Sequence, residues 1–119
     1  MYNEKRNLIL DKSFEFSLKI IDIYKELVYK KKEYVMSKQL LRSSTSIGAN
    51  AVEADSAQSH RDFIAKMSIS LKEANETRYW IKLLLRSNFI SNKNLINDCE
   101  ELIKILTSIL VSARNNAKN

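Results

Sequence analysis

The 119-residue sequence has no proline and a single glycine, Gly48. Sandwiches and barrels need a turn every few residues, so this composition excludes them and favours long helices joined by short polar loops. A single cysteine, Cys99, excludes an internal disulfide framework and is typical of a reducing compartment, here the cytoplasm. No apolar run approaches the roughly 18 residues of a membrane span, and the polar first residues predict no signal peptide.

Residues that perform catalysis or bind metals are equally scarce. His60 is the only histidine, whereas di-metal bundles take histidines and carboxylates from several helices. Its neighbours Ser59 and Asp62 are typical of a helix cap rather than of a catalytic triad. Cys99 falls on an apolar helical stripe, and there is no glycine-rich phosphate loop. The sequence therefore predicts a protein that is not an enzyme and has no catalytic residue, metal or cofactor.

The sequence does contain helical periodicity, in four segments. They cover Leu10–Tyr29, Met36–Ala57, the stretch from Ser59 to about Ser87, and a last segment that begins at Leu95. Each segment has one expected apolar stripe. In the first two segments, the stripes are Phe14, Leu18, Ile21, Tyr24 and Val28, and then Met36, Leu40, Ser44, Ile47, Ala51 and Ala54. In the last two segments, they are Phe63, Met67, Ser70, Ala74, Thr77, Ile81 and Leu84, and then Leu95, Cys99, Leu102, Leu106, Ile109 and Ala113. Because short connections make consecutive helices antiparallel neighbours, we expect one domain over residues 1–119, an all-α antiparallel up-down four-helix bundle.

The second segment carries small side chains on nearly every face of its predicted helix. Ser, Thr and Gly are weak helix formers, so such a helix must gain stability from close tertiary contacts. Close helix packing is therefore predicted at Ser44, Gly48, Ala51, Ser70 and Ala74, with Gly48 opposite Ser70. Close neighbours on several sides also favour self-association. Apolar residues beyond one stripe of the first segment support it, namely Phe16, Ile20, Ile23 and Leu27.

A semi-buried ion pair is predicted between the second and third segments. Their hairpin turns near Gln58, and both helices rise equally per residue. Arg42 then lies opposite Glu76 and close to Glu73. These carboxylates are therefore assigned to a structural pair and not to a substrate site.

The formal net charge is +6, and the charges are unevenly placed. Arg78, Lys82 and Arg86 follow helical spacing, Lys93 comes soon after, and no acidic residue lies between Glu76 and Asp98. An acidic stripe runs along the first segment and consists of Asp11, Glu15, Asp22 and Glu26. The basic stripe has three possible interpretations: a solvated face, a phosphate-contacting surface, or a surface that pairs with the acidic stripe of another subunit.

Three stretches of sequence carry a family resemblance: QLLRSSTSIGANAVEA from Gln39, SHRDFIAKM from Ser59 and LKEANETRYW from Leu71. They resemble the 23S ribosomal RNA intervening-sequence proteins, which are four-helix bundle proteins. The resemblance implies an up-down bundle that assembles into a homopentamer. Some members are encoded inside ribosomal RNA genes. A related group, the accessory proteins of diversity-generating retroelements, binds a reverse transcriptase and nucleic acid through a basic surface. The family offers no established catalytic residue.

Two functional hypotheses follow. The first is a non-enzymatic homo-oligomer, a pentamer by resemblance, that binds nucleic acid, specifically RNA, through Arg78, Lys82, Arg86 and Lys93. The second is a protein-interaction scaffold or accessory subunit whose charged faces mediate self-assembly or bind a protein such as a reverse transcriptase. The salt dependence of binding distinguishes the two hypotheses, because phosphate contacts weaken steeply with ionic strength and apolar interfaces do not.

Overall fold

The structure is a computed structural model that describes the backbone of residues 2–118 and the side chains of residues 4–116. Over these residues it is all-α, with four helices and no strand: α1 (Tyr2–Tyr29), α2 (Met36–Asp55), α3 (His60–Arg86) and α4 (Asn94–Lys118). Each helix packs against the next, and α4 returns against α1, in an elongated molecule of 52 × 22 × 18 Å. Among the described helices, none has a stretch long and apolar enough to cross a membrane.

Where neighbouring helices contact each other, later residues of one helix meet earlier residues of the other. Lys5 of α1 bonds to Ser108 of α4, whereas Lys19, farther along α1, bonds to Asp98, which lies earlier in α4. Other interhelical pairs are Arg6–Asp55, Lys66–Glu53, Arg42–Glu76, Arg114–Ser68 and Arg78–Glu100. Short connections between long helices favour this register.

The buried stripes of α2, α3 and α4 are the predicted ones. Every predicted stripe residue of these three helices is buried except Met36, which is half-buried. Their agreement follows from a simple pattern, because each of these helices has one continuous line of apolar or small residues at helical spacing.

The predicted stripe of α1 is wrong. Phe14 is 67% exposed and Leu18 is 51% exposed. The large side chains of α1 in the core are instead Ile9, Phe16, Ile20 and Leu27. Ser13 interrupts this buried stripe with a polar residue. The predicted stripe on the other face has no such interruption and therefore matched the helical pattern better. The interrupted stripe is the buried one because Ser13 is small enough to pack against α2.

The atoms nearest to a Cβ added at Gly48 belong to Ser13 of α1, and the predicted neighbour Ser70 contacts the residue before the glycine. A Cβ atom added to Gly48 would lie 3.1 Å from Ser13 Oγ. Ser70 is buried and donates a hydrogen bond of 2.7 Å to the carbonyl of Ile47, one residue before the glycine. The remaining residues of the close-packing prediction are also buried: Ser44, Ala51 and Ala74.

Two helix starts are capped by side chains. Ser59 Oγ accepts from the backbone N–H of Asp62 at 3.0 Å, as the sequence predicts for α3. At α2 the cap is Glu33, whose carboxylate accepts from the amides of Val35, Met36 and Ser37 at 3.1, 3.0 and 2.7 Å. Burial acts to raise the pKa of Glu33, but these three donors outweigh it and hold the pKa below its ordinary value.

Candidate nucleic-acid interface

The α3–α4 connection begins with a tight C-terminal cap. Asn88 has φ 66°, in the left-handed region that asparagine tolerates better than most residues. Its N–H donates to the Leu85 carbonyl at 3.1 Å, and the Phe89 N–H donates to the Leu84 carbonyl at 3.0 Å. These two bonds form a Schellman motif, which ends α3 and reverses the chain within a few residues.

The same connection ends with an asparagine cap. Asn92 Oδ1 accepts from the backbone N–H of Asn94 at 3.0 Å, and the Asn92 carbonyl accepts from the Leu95 N–H at 3.4 Å. The chain between the two caps, Phe89–Ser91, is thereby held across the junction of α3 and α4. Phe89 and Ile90 pack against the core from this connection.

A groove of about 610 Å³ lies at this junction. Its lining consists of Lys82, Leu85 and Arg86 from α3, Asn88, Ile90, Ser91 and Lys93 from the connection, and Ile96 and Asn97 from α4. We call it the α3–α4 groove. Its three aliphatic residues are half-buried and pack against the core, whereas its three basic residues are exposed. The groove therefore has an apolar floor and a cationic rim.

Three of the four residues of the predicted basic surface thus line one groove: Lys82, Arg86 and Lys93. None of these three makes an ion pair with a carboxylate within the part of the chain that the structure describes. The described side chains that line the groove include no acidic one, and the nearby Asp98 pairs with Lys19 of α1 at 3.0 Å. The groove is accordingly electropositive.

Arg78 does not line this groove, and it is the one of the four predicted basic residues that lies near a carboxylate of another helix among the described residues. Its guanidinium bonds to Asn75 Oδ1 at 3.0 Å and lies 3.8 Å from the Glu100 carboxylate of α4. The acid-free stretch of residues 77–97 covers α3 beyond Glu76, whereas Glu100 comes from the neighbouring helix α4. Arg78 is therefore partly neutralised inside the protomer.

The predicted pairing partners of Arg42 lie together at the surface between α2 and α3. Arg42 Nη1 donates to Glu73 Oε2 at 3.1 Å, and Nη2 donates to Glu76. The Trp80 indole N–H also donates to Glu76, at 2.9 Å. The Trp80 hydrogen bond, together with Arg42 and against the effect of burial, holds the pKa of Glu76 below its ordinary value. This network joins two helices and leaves no open carboxylate pair for chemistry.

Other reactive side chains occupy structural positions. Cys99 is fully buried, its thiol donates to the Ala74 carbonyl at 3.3 Å, and burial raises its pKa to about 12. A thiol with such a pKa is a poor nucleophile at neutral pH. His60 Nε2 lies 2.7 Å from the Ala113 carbonyl. Over the described residues, no group of three His, Cys, Asp or Glu side chains is placed to hold a metal ion.

Large apolar side chains are also exposed on α1 and on α2. Phe14 and Leu18 stand one turn apart on α1 and are mostly exposed, and Val52 of α2 is 59% exposed. The acidic stripe of α1, formed by Asp11, Glu15, Asp22 and Glu26, is likewise exposed. Exposed apolar patches on soluble proteins frequently mark contact surfaces.

Sequence reasoning missed the uncharged half of the groove. Leu85, Ile90 and Ile96 form the floor, and Asn88, Ser91 and Asn97 supply amides and a hydroxyl. The available signal was the apolar pair Phe89 and Ile90 between the asparagines of the α3–α4 connection, which sequence analysis interpreted only as a polar connector. An apolar residue in a polar connector indicates a loop that packs onto the core.

Known proteins resemble the chain in sequence and fold. The family model described as 23S rRNA-intervening sequence protein matches residues 5–108. A crystal structure of a protein with unknown function from the S23 ribosomal protein family of Bacteroides thetaiotaomicron VPI-5482 is 53% identical, with a TM-score of 0.87. The alignment covers 89% of this chain and 97% of that one. The search among curated proteins finds no match. The family model spans most of the chain, and the chain therefore belongs to the 23S rRNA-intervening sequence protein family.

Proposed function

We propose that the protein is an antiparallel up-down four-helix bundle that assembles into a homo-oligomer and binds RNA through the α3–α4 groove, without catalysing a reaction. The observation that carries the proposal is the groove's composition. Lys82, Arg86 and Lys93 converge on it, and no carboxylate lies among its described lining residues. Such a surface attracts phosphates, which dominate the affinity of proteins for nucleic acid.

The proposed RNA contacts differ in strength among the four predicted residues. Lys82 and Arg86 stand one helical turn apart on α3, separated by a rise of about 6 Å, and Lys93 faces them from the connection. Arg78 contributes less because Glu100 already lies 3.8 Å from it. Phosphate contacts of this kind orient the RNA but do not read its sequence.

The exposed apolar residues of α1 and α2 support self-association. Phe14 is 67% and Val52 59% exposed, and covering such residues with a second copy would remove apolar area from water. A pentamer is the state that the family resemblance favours. Repetition of the groove around an oligomer would raise the affinity for a long RNA by avidity. We place the protein in the cytoplasm, where a single thiol such as Cys99 stays reduced.

Fluorescence anisotropy with a labelled single-stranded RNA, repeated over a salt series, tests the proposal. The Lys82→Glu/Arg86→Glu variant should bind more weakly and with a flatter salt dependence, by about 1.4 in the slope of log K against log salt for two lost phosphate contacts. The matched control is Arg61→Glu/Lys72→Glu, which makes the same change of charge at two other exposed positions of α3. The control should keep most of the affinity.

Three results discriminate between the interpretations. Weaker RNA binding by an intact oligomer supports the proposal. Loss of the oligomer, measured by light scattering, would show instead that the basic residues contact another subunit, with the acidic stripe of α1 as their partner. Equal losses of affinity in both variants would mean that overall charge, and not the groove, attracts RNA.

A protein-interaction scaffold is the second candidate, and the exposure of Phe14, Leu18 and Val52 favours it. Here these apolar residues would bind a protein partner, for which a reverse transcriptase is the class that the family resemblance implies. This candidate predicts that Phe14→Asp/Leu18→Asp abolishes partner binding, whereas the reversal at Lys82 and Arg86 does not.

A further inference from the structure

The α3–α4 groove is more than a patch of positive charge. Contacts to phosphates alone need only exposed cations, which lysines and arginines on any convex surface supply. Here the cations border a depression whose floor is aliphatic, formed by half-buried Leu85, Ile90 and Ile96. Phosphate binding does not account for such a floor, so the groove fits a ligand with both an anionic and an apolar part.

The remaining lining residues narrow the chemistry of that ligand. Asn88, Asn97 and Ser91 add amide and hydroxyl groups at the edge of the apolar floor. Side-chain amides both donate and accept hydrogen bonds, which matches the mixed edges of nucleobases. A groove of about 610 Å³ falls within the range of sites that enclose small organic groups.

Base pairing determines whether duplex or single-stranded RNA fits the groove. In a duplex, each base is stacked on both faces and its hydrogen-bonding edge is occupied by its partner. Only an unpaired base exposes a flat face to an apolar floor and a free edge to amides, and single strands are the usual targets of base-contacting RNA-binding proteins.

We propose that the α3–α4 groove holds an unpaired nucleotide of single-stranded RNA. The base lies on Leu85, Ile90 and Ile96, its edge meets Asn88 and Asn97, and the adjoining phosphates contact Lys82, Arg86 and Lys93. This inference rests on the proposed RNA-binding function and adds the form of RNA that the site selects. No covalent step is involved.

Three RNAs of the same length test the inference by anisotropy: a single strand, its blunt duplex, and the single strand with abasic sites in place of bases. The single strand should bind about tenfold more tightly than the other two at equal salt, because burial of a base against the aliphatic floor is lost in both. The abasic strand should keep the salt dependence of the intact one, since its phosphates are unchanged.

A substitution in the apolar floor tests whether the base contacts lie in the groove. Ile96→Thr introduces a hydroxyl into the floor and should weaken binding of the intact strand while leaving that of the abasic strand unchanged. The control is Ile103→Thr, another half-buried isoleucine of α4, two turns farther on and outside the groove. It should affect neither strand, and thermal melting of both variants checks that they remain folded.

The outcomes separate this inference from the function on which it rests. If all three RNAs bind equally and Lys82→Glu/Arg86→Glu weakens all of them, the proposed function stands and the nucleotide site is overturned. Tighter binding of the duplex overturns it as well. If no RNA binds, both fail together. An Ile96→Thr effect that is equal on intact and abasic strands would also contradict a base on the floor.

Discussion

Replacement of Arg42 by methionine should destabilise the fold by about 2 to 3 kcal/mol. The Glu73 side chain is only 9% exposed, so loss of Arg42 leaves its carboxylate nearly buried without that cation. Breaking a fully buried pair costs roughly 3 to 5 kcal/mol. We expect less here because the Arg42 side chain is 48% exposed and its removal admits water. Glu76 keeps the hydrogen bond from Trp80.

A second ion pair between the same helices provides the control. Lys66 lies 3.4 Å from Glu53, with side-chain exposures of 33% and 58%. Exposed pairs contribute little, so Lys66→Met should cost less than about 1 kcal/mol. Urea denaturation followed by circular dichroism gives both free energies of unfolding. All variants must be compared at one protein concentration, because self-association would add to apparent stability.

A further substitution identifies the cause of the loss. In the Arg42→Met background, Glu73→Gln replaces the orphaned charge with a neutral amide and should restore part of the free energy of unfolding. The reasoning would be refuted if Arg42→Met cost no more than Lys66→Met. Failure of Glu73→Gln to restore stability would show that the loss comes from packing of the arginine stem.

Three other predictions concern the backbone and caps. Gly48→Leu should cost about 1 to 3 kcal/mol despite the better helix propensity of leucine, and Ser13→Gly should recover part of it; an unchanged melting temperature would show that Gly48 has room. Asn88→Val should cost about 1 to 2 kcal/mol in urea denaturation because φ is 66°, whereas Asn88→Gly should be tolerated; equal midpoints for the two variants would contradict this. Glu33→Gln should cost about 1 kcal/mol at neutral pH as a lost cap. Because the pKa of Glu33 is lowered in the folded state, its contribution is complete above the unfolded pKa and disappears as pH falls through the folded one; a difference from the parent that persists in acid would argue against the cap.

The orientations of α2, α3 and α4 could be predicted from the sequence because each has one buried line at helical spacing. The orientation of α1 could not, since it carries two such lines. Ser13 breaks the buried one, and its contact with Gly48 depends on how α1 and α2 approach each other. Periodicity measures the apolar content of a face, whereas burial also depends on the size of residues on the opposing helix.

The basic residues of the groove could be predicted, but the groove itself could not. Lys82 and Arg86 share a helix face by spacing alone. The floor requires Ile90 to turn back onto the core, which depends on the cap at Asn88 and on a backbone conformation that asparagine only favours. The pairing of Arg78 with Glu100 depends on the register between α3 and α4, which local sequence does not encode.

Photochemical crosslinking of the protein to a uridine-rich single-stranded RNA tests the central claim most directly. Trypsin cuts after Arg86, Lys93 and Lys104, so the groove residues of the connection lie in the peptide Ser87–Lys93 and those of α4 in Asn94–Lys104. We expect mass spectrometry to find the attached nucleotide on these two peptides. In the Lys82→Glu/Arg86→Glu variant, where loss of two cleavage sites extends the first peptide to Tyr79–Lys93, we expect neither peptide to carry it. Crosslinks confined to peptides of α1 and α2, or unchanged by that variant, would contradict this claim.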